Sequence, residues 1–153
     1  MGSRQKQPKK FEKIISRQDK IVLVTGCFDI LEPKLSVSFR EAKKQGDVLI
    51  LGLESDKRVR ELKGKNRPIN SYSKRAENLA KIKEIDFIFP LLEKFDGREE
   101  HLKLLQLIKP NILAVSENTP YLEKKKKLIE KVGGKIFIFP FNSRYSTTKL
   151  IST

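Results

Sequence analysis

The sequence predicts a single α/β domain built on an open parallel sheet of five strands, with helices on both faces. Short apolar runs alternate with longer amphipathic stretches along the chain, a pattern that is typical of repeated strand–helix units. The apolar runs are nearly continuous, as strands are when both faces of a sheet are covered. The chain has 153 residues, which is enough for one domain with a hydrophobic core but not comfortably for two.

Five apolar runs are predicted to be strands. They are rich in Val, Ile, Leu and Phe, which favour strands, and Gly26 ends the first of them. Parallel strands are joined by right-handed crossovers, so the order of elements indicates a Rossmann-like open sheet. The predicted strands cover residues 21–25, 48–53, 86–90, 111–115 and 135–140.

The amphipathic stretches between these runs are predicted to be helices, and their ends carry the usual signals. Pro33 fits the first turn of a helix and Gly46 the position just past its end. Ser55 is the expected cap of the second helix, and Gly133 closes the fifth. The predicted helices cover residues 33–45, 55–62, a stretch from Ser71 or Ser73 to 84, 98–109 and 120–132, with a last helical turn or two over 146–151.

The composition excludes several classes of protein. One cysteine, Cys27, excludes a disulfide framework and a cysteine-based zinc site within one chain. One histidine, His101, excludes any mechanism that needs two histidines from the same chain. We expect Cys27 to be a small buried side chain and His101 to be a surface or capping residue. With no secretory signal and no apolar run near the ~20 residues that span a bilayer, we expect a cytoplasmic protein that binds no membrane.

The charge is strongly positive, with 33 Lys and Arg against 19 Asp and Glu and a formal net charge of +14. Residues 1–19 are predicted to be a basic, disordered N-terminal segment, and residues 20–153 to be the domain. The run Lys124–Lys127 is predicted to be a solvated helix face. A basic surface also attracts phosphate in nucleotides, RNA or anionic lipid, so RNA stays open as a partner.

The ligand of an open parallel sheet lies beyond the carboxyl ends of its strands. After the first strand, Gly26 allows a tight turn and the next helix directs its N-terminal amides to the same place, which suits a phosphate. After the second strand, Lys63 and Arg67 surround a glycine turn. Hydroxyl groups that suit a helix cap or phosphate oxygens follow the fifth strand, at Ser146, Thr147 and Thr148.

From residue 21 to the C terminus the sequence resembles the cytidylyltransferase-like nucleotidyltransferases. The likeness is strongest to the adenylyltransferase domain that activates heptose phosphates and to glycerol-3-phosphate cytidylyltransferase. The motifs agree with the family pattern in order and spacing. Together they are a specific signal, although no single motif is specific. They are Gly26-Cys27-Phe28-Asp29-Ile30-Leu31, Gly46-Asp47, Lys63-Gly64 with Arg67-Pro68, Arg75-Ala76-Glu77, Lys109-Pro110, Gly133-Gly134 and Tyr145-Ser146-Thr147-Thr148-Lys149.

The resemblance implies a reaction in which a sugar or alcohol phosphate attacks the α-phosphate of CTP or ATP, with Mg²⁺, and releases pyrophosphate. It assigns Lys63 to the phosphates, places the Ser146–Thr148 hydroxyls at the helix end that faces the triphosphate, and suggests a homodimer. The candidate residues for nucleotide or phosphate binding are Thr25, Gly26, Cys27, Phe28, Asp29, Lys34, Lys63, Arg67, Arg144, Ser146, Thr147 and Thr148.

The sequence departs from the family pattern at the central His-x-Gly-His motif. Glu32, Lys34 and Leu35 stand where the family has its first His, its Gly and its second His. Like charges repel by about 4 kcal/mol at about 4 Å and an effective dielectric of about 20, so the carboxylate opposes a phosphate there. Leu35 carries neither a donor nor a charge. No catalytic residue is assigned.

Two functions from different classes follow, and a third overlaps the first. In one, the domain is a pseudoenzyme that has lost nucleotidyl transfer, retains weak nucleotide or phosphate binding, and acts through an unknown protein partner. In the other, it is an active nucleotidyltransferase in which Lys34, Lys63 and Lys65 replace the imidazoles. The third is a basic RNA-binding module. An active enzyme predicts a deep basic pocket between Gly26, Lys63 and Ser146, whereas a pseudoenzyme predicts that Glu32 and Leu35 neutralise or fill it.

Overall fold

The computed structural model describes residues 19–95 and 97–139. Their strands are β1 (Ile21–Gly26), β2 (Val48–Leu53), β3 (Phe87–Pro90), β4 (Ile112–Ser116) and β5 (Lys135–Phe139). Their helices are α1 (Lys34–Lys43), α2 (Asp56–Lys63), α3 (Tyr72–Ala80), α4 (Arg98–Ile108) and α5 (Leu122–Lys131).

The strands form one parallel sheet in the order β3-β2-β1-β4-β5. The chain moves outward from β1 through β2 to β3, then returns to place β4 on the other side of β1. The order therefore reverses between β1 and β4, and that switch point is where an open sheet leaves a crevice for a ligand. The predicted fold class is confirmed.

Two apolar layers cover the sheet, because successive residues of a strand point to opposite faces. In β1, Leu23 packs with residues of α4 and α5, such as Leu105 and Leu128. Val22 and Val24 point to the other face, where the buried residues include Phe39 of α1 and Ala76 and Leu79 of α3. All of β2 is buried, as expected for a strand that lies inside the sheet.

Several predicted helix ends are confirmed, and three shift by two residues or more. Helix α1 ends at Lys43, two residues before its predicted end at 45. The Ser55 hydroxyl accepts a hydrogen bond from the Arg58 amide at 3.0 Å, and Ser71, rather than Ser73, caps α3 through the Lys74 amide at 3.3 Å. Helix α3 ends at Ala80, four residues before the predicted end at 84.

The early end of α3 has a tertiary cause. The Asp86 carboxylate accepts from the Leu49 amide at 2.8 Å and from Lys43 Nζ at 2.6 Å. The chain must leave the helix in time to bring Asp86 to β2. Helix α5 begins two residues later than predicted, at Leu122, because Tyr121 adopts the left-handed conformation with φ of 59°. The predicted tail helix, residues 146–151, lies outside the described residues.

Arg75 joins the ends of two strands and two helices. Its side chain is fully buried. Its Nη1 donates to the carbonyls of Cys27 and Glu54, both at 2.9 Å, and its Nε donates to the Asn70 carbonyl at 3.0 Å. Its Nη2 donates to Asp56 Oδ1 at 2.6 Å. One guanidinium thus satisfies three loop carbonyls that would otherwise lack a donor.

Asp29 makes a second link between loops. It is buried, and its oxygens accept from the Ile69 amide at 2.7 Å, the Asn70 amide at 2.8 Å and Arg67 Nε at 2.8 Å. Burial by itself raises the pKa of this carboxyl, but the two backbone donors and Arg67 outweigh burial, so the pKa lies below its usual range. The loop after β1 is therefore fixed to the loop that precedes α3.

No helix in the described part of the chain combines the length and apolar character that crossing a membrane requires.

Replacing Arg75 by Met should cost at least about 3 kcal/mol of unfolding free energy, because it leaves three loop carbonyls without their donor, at about 1–3 kcal/mol each. Urea denaturation measures this. Lys74→Met is the matched control, since Lys74 is exposed and surface changes stay within about 0.5 kcal/mol. Equal losses in the two variants would contradict the role given to Arg75.

Asp29→Asn should lower the thermal midpoint at neutral pH, because the amide cannot accept the same three donors. The folded-state pKa of Asp29 is depressed, so its contribution is present above the unfolded pKa and is lost as the pH falls through the folded value. The difference between wild type and variant should therefore shrink below about pH 4, the ordinary range of a carboxyl. A difference that does not change with pH would contradict the ionised Asp29.

Candidate functional site

A cavity of about 390 Å³ opens at the carboxyl ends of β1 and β4, at the reversal of the strand order. Its volume lies in the range of small-molecule pockets. The turn after β1 and the start of α1 form one wall, and the turn after β4 and the inner face of α5 form another. Apolar side chains of α4 and the sheet, among them Leu104, Leu105 and Val115, complete it.

The three residues that replace the family's central motif all line the cavity: Glu32 in the turn after β1, and Lys34 and Leu35 at the start of α1. Lys34 Nζ lies 3.2 Å from Glu32 Oε1, so the ammonium and the carboxylate form an ion pair. The Leu35 amide donates to the Glu32 carbonyl at 2.9 Å, which closes the turn. The Leu35 side chain packs against the apolar layer that contains Phe39. This wall of the cavity therefore carries an ion pair whose charges cancel and the apolar side chain of Leu35.

The position of Gly26 has no room for a side chain, because an aromatic ring lies beside it. A Cβ at Gly26 would lie 2.8 Å from Cε2 of Phe28, whose backbone has a φ of 47°. The Phe28 ring packs against Phe39 with a centroid distance of 5.6 Å. A side chain at Gly26 would therefore collide with the Phe28 ring, which itself lines the cavity.

The structure brings together five of the predicted binding residues. Those that line the cavity are Thr25, Gly26, Phe28, Lys34 and Lys63. Three others lie beside it: Asp29 and Arg67 form an ion pair with each other at 2.8 Å, and Cys27 is half-buried. Burial, then the Glu54 carboxylate, raises the pKa of the Cys27 thiol. The remaining four predicted residues, Arg144, Ser146, Thr147 and Thr148, fall outside the described residues.

The turn after β4 supplies polar groups that the sequence argument did not select. The Ser116 hydroxyl donates to Asn118 Oδ1 at 2.7 Å, and both residues line the cavity. Lys125 Nζ donates to Thr119 Oγ1 at 2.5 Å, and these two residues also line it.

Lys125 departs from the prediction for its lysine run. Lys124, Lys126 and Lys127 are exposed, as predicted, but Lys125 is half-buried and faces the cavity. The helical spacing could have predicted the burial of Lys125, because Lys125 lies three residues after Leu122 and three before the buried Leu128. The apolar stripe of α5 therefore carries one lysine.

His101 has both a structural contact and a place on the cavity wall. Its Nδ1 lies 2.8 Å from the carbonyl of Gly97, the residue before α4, so the ring contacts the first turn of α4 but does not cap its amides. Its ring also packs against Phe95 with a centroid distance of 4.1 Å. Nothing in the residue pattern predicted that this ring would reach the cavity.

Behind the cavity lies a buried acid, Glu54, at the end of β2. The residue is 8% exposed, and no group among the described residues donates to its buried Oε1. Burial raises its pKa, while Arg58, Arg75 and Lys125 oppose that change. Burial lowers the pKa of Lys125, and the Glu54 charge opposes it.

Sequence comparison places these features in a family. Residues 23–153 match the sequence profile of the cytidylyltransferase-like family. The chain is similar to the bifunctional protein HldE of Nitrosococcus oceani, with 36% identity over 137 residues, and to HldE of Helicobacter pylori strain J99, with 35% identity over 147 residues. These matches cover 89% and 94% of this chain but 28% and 29% of the relatives, so the chain spans less than a third of their length.

Solved structures show the same fold. The lipopolysaccharide core biosynthesis protein of Thermoplasma volcanium superposes with a TM-score of 0.62 at 23% identity, over 80% of this chain and 95% of that one. The pantoate-beta-alanine ligase of Francisella tularensis has a TM-score of 0.59 at 22% identity, over 86% of this chain and 64% of that one. With nearly the whole domain matched to the family profile, the chain belongs to the cytidylyltransferase-like family of nucleotidyltransferases.

Proposed function

We propose that this domain binds a nucleotide through its phosphates in the cavity between β1 and β4 and does not transfer the nucleotidyl group. The observation that carries the proposal is the Glu32–Lys34 ion pair at 3.2 Å, in the turn where the family has its two histidines. The relatives are named bifunctional protein HldE. Nucleotide binding is proposed for this chain because the chain belongs to the cytidylyltransferase-like family.

The loss of transfer follows from electrostatics. Nucleotidyl transfer depends on positioning and on charge stabilisation of the phosphates rather than on a covalent step. Removing one preorganised donor of this kind costs about 10²- to 10³-fold in rate. Here two imidazole donors are absent, a carboxylate lies in the wall, and the neighbouring ammonium is already paired with it. The wall after β1 therefore carries no net positive charge that could stabilise the negative charge developing on the phosphates.

Binding needs less than catalysis, and the cavity keeps groups that suit a phosphate. Lys63 and Lys125 line it from opposite sides of the switch point, and the hydroxyls of Ser116 and Thr119 accompany Lys125. These donors, with the apolar wall opposite, match the mixture found in ligand pockets.

Mg²⁺ fits this proposal as a companion of the nucleotide. Among residues 19–95 and 97–139, no group of three or more His, Cys, Asp or Glu is arranged to hold a metal ion. Mg²⁺ commonly binds through one or two carboxylates and the phosphates of a nucleotide. Glu32, the carboxylate that lines the cavity, is paired with Lys34 at 3.2 Å, so the phosphates of the nucleotide would hold the ion.

Isothermal titration of ATP and CTP, each with Mg²⁺, should show saturable binding of one of them, with no pyrophosphate release when sugar or alcohol phosphates are added. Lys63→Ala should weaken that binding by about tenfold, the effect of one charged hydrogen bond. Lys65→Ala is the control, because Lys65 is exposed, lies two residues further along the chain and does not line the cavity. Pyrophosphate release that depends on an acceptor would instead establish an active transferase, and equal effects of the two variants would remove Lys63 from the site.

Restoring the family motif with Glu32→His, Lys34→Gly and Leu35→His should raise nucleotide affinity, because it removes the carboxylate and adds two imidazole donors. Leu35 packs on the core, so Glu32→Gln serves as a second variant that leaves that packing intact. It removes the charge facing the cavity and the partner of Lys34, and it should raise affinity as well. Weaker binding in both variants would mean that the native residues are adapted to the ligand.

A further inference from the structure

We propose that residues 8–18 of this chain form a short amphipathic helix that docks in an apolar groove between β3 and α4. These residues precede the described part of the chain. The proposal goes beyond nucleotide binding, because it names a second interaction surface and the segment that occupies it. It also assigns an ordered structure to residues for which the basic composition predicts disorder.

The groove is a cavity of about 950 Å³ beside the edge strand of the sheet. Phe87 and Phe89 of β3 line it, and so do Leu104 and Leu107 of α4. Leu107 is 78% exposed, and Leu92, which also lines the groove, is 70% exposed. Large apolar side chains that are exposed side by side mark an interaction site, so we expect this groove to bind an apolar surface.

The chain enters β1 close to this groove. Ile21 of β1 pairs with Val48 of β2. Phe87 of β3 pairs with Ile50, which lies two residues after Val48. Strands lie about 4.8 Å apart and rise about 3.3 Å per residue, so Phe87 is roughly 12 Å from Ile21. Ile21 and Phe87 belong to the same core layer, so the groove opens on the face of the sheet to which Ile21 points.

Residues 8–18 have the pattern of a helix with one apolar face. Phe11, Ile14 and Ile15 stand at positions i, i+3 and i+4, and every other residue from 9 to 18 is polar or charged. Pro8 suits the first turn of a helix. A helix this short is marginal in water by itself, so it becomes stable only when its apolar face packs against a partner.

The segment is long enough to reach the groove and to fill it. As a helix, residues 11–18 span about 12 Å, the distance that separates the start of β1 from Phe87. The whole helix would be roughly 16 Å long, close to the roughly 13 Å of α4 between Glu100 and Ile108 that borders the groove. Apolar residues at i, i+3 and i+4 are the usual anchors of a helix that binds in a groove.

The covalent connection favours this segment over a partner from solution. Only Asp19 and Lys20 separate it from β1. A short tether gives an effective concentration on the order of millimolar, so three apolar contacts can hold the segment in place.

The groove and the cavity at the switch point share a wall. Phe95 and Leu104 line both of them. The Phe95 ring also packs against His101, which lines the cavity at the switch point. A helix docked in the groove therefore packs against the outer side of that wall.

Hydrogen exchange of the full chain tests the proposal. The backbone amides of residues 12–18 should exchange at least about tenfold more slowly than in an unstructured peptide, because docking stabilises their helical hydrogen bonds. Phe11→Ala with Ile15→Ala should remove this protection. Lys9→Ala with Lys13→Ala is the matched control, with the same spacing on the opposite face, and should change it less than about twofold. Exchange of these amides at unstructured rates in wild type overturns the proposal.

A second pair of variants tests the groove. Leu107→Ser should lower the protection of residues 12–18 about fivefold or more, because it removes an apolar contact. Gln106→Ser, at an exposed neighbour that does not line the groove, should leave the protection unchanged. Equal effects of the two variants would place the segment elsewhere and overturn the proposal. Sedimentation velocity checks for a second copy, because a dimer that Leu107→Ser dissociates would mean that another chain fills the groove, which also overturns it.

Discussion

The buried guanidinium of Arg75 is the interaction on which the geometry of the cavity depends. It joins the chain just after β1, just after β2 and just before α3, and it also holds Asp56 at the start of α2. These loops carry the residues of the site, and their carbonyls have no place in the sheet ladder. Buried polar groups without partners are costly, so a single side chain with five N–H donors stabilises an otherwise irregular region. The guanidinium of Arg75 is bonded within the fold and does not line the cavity.

The same division between structure and function applies to the other charges near the site. Arg67 is paired with Asp29, and Lys34 with Glu32. A net charge of +14 therefore does not give a strongly basic pocket. Lys63 and Lys125 are the lysines of the cavity wall that lie on opposite sides of the switch point. Among the described residues, three lysines (Lys34, Lys63 and Lys125) and one carboxylate (Glu32) line the cavity, a modest positive excess that suits phosphate binding.

The fold could be predicted because local signals agreed with the tertiary structure. The apolar run of β2 matched its predicted bounds, and Ser55 capped α2 as its residue type indicates. The end of α3 could not be predicted, since it depends on a contact between Asp86 and Leu49, 37 residues apart. The Asp29–Arg67 pair is equally long-range, at 38 residues. The position of Lys125 on the cavity wall was not predicted, because four consecutive lysines are identical in type and differ only in the direction that each faces around the helix.

Phosphorus NMR of one sample tests the central claim most directly. The full chain is mixed with ATP or CTP, Mg²⁺ and a sugar or alcohol phosphate, and the nucleotide and pyrophosphate signals are followed together. A bound nucleotide whose phosphates are held by lysines, without donors that stabilise their transfer, predicts shifted or broadened nucleotide signals and no pyrophosphate signal. A pyrophosphate signal that grows with time and depends on the acceptor would contradict the account, and so would nucleotide signals that are unchanged by the protein.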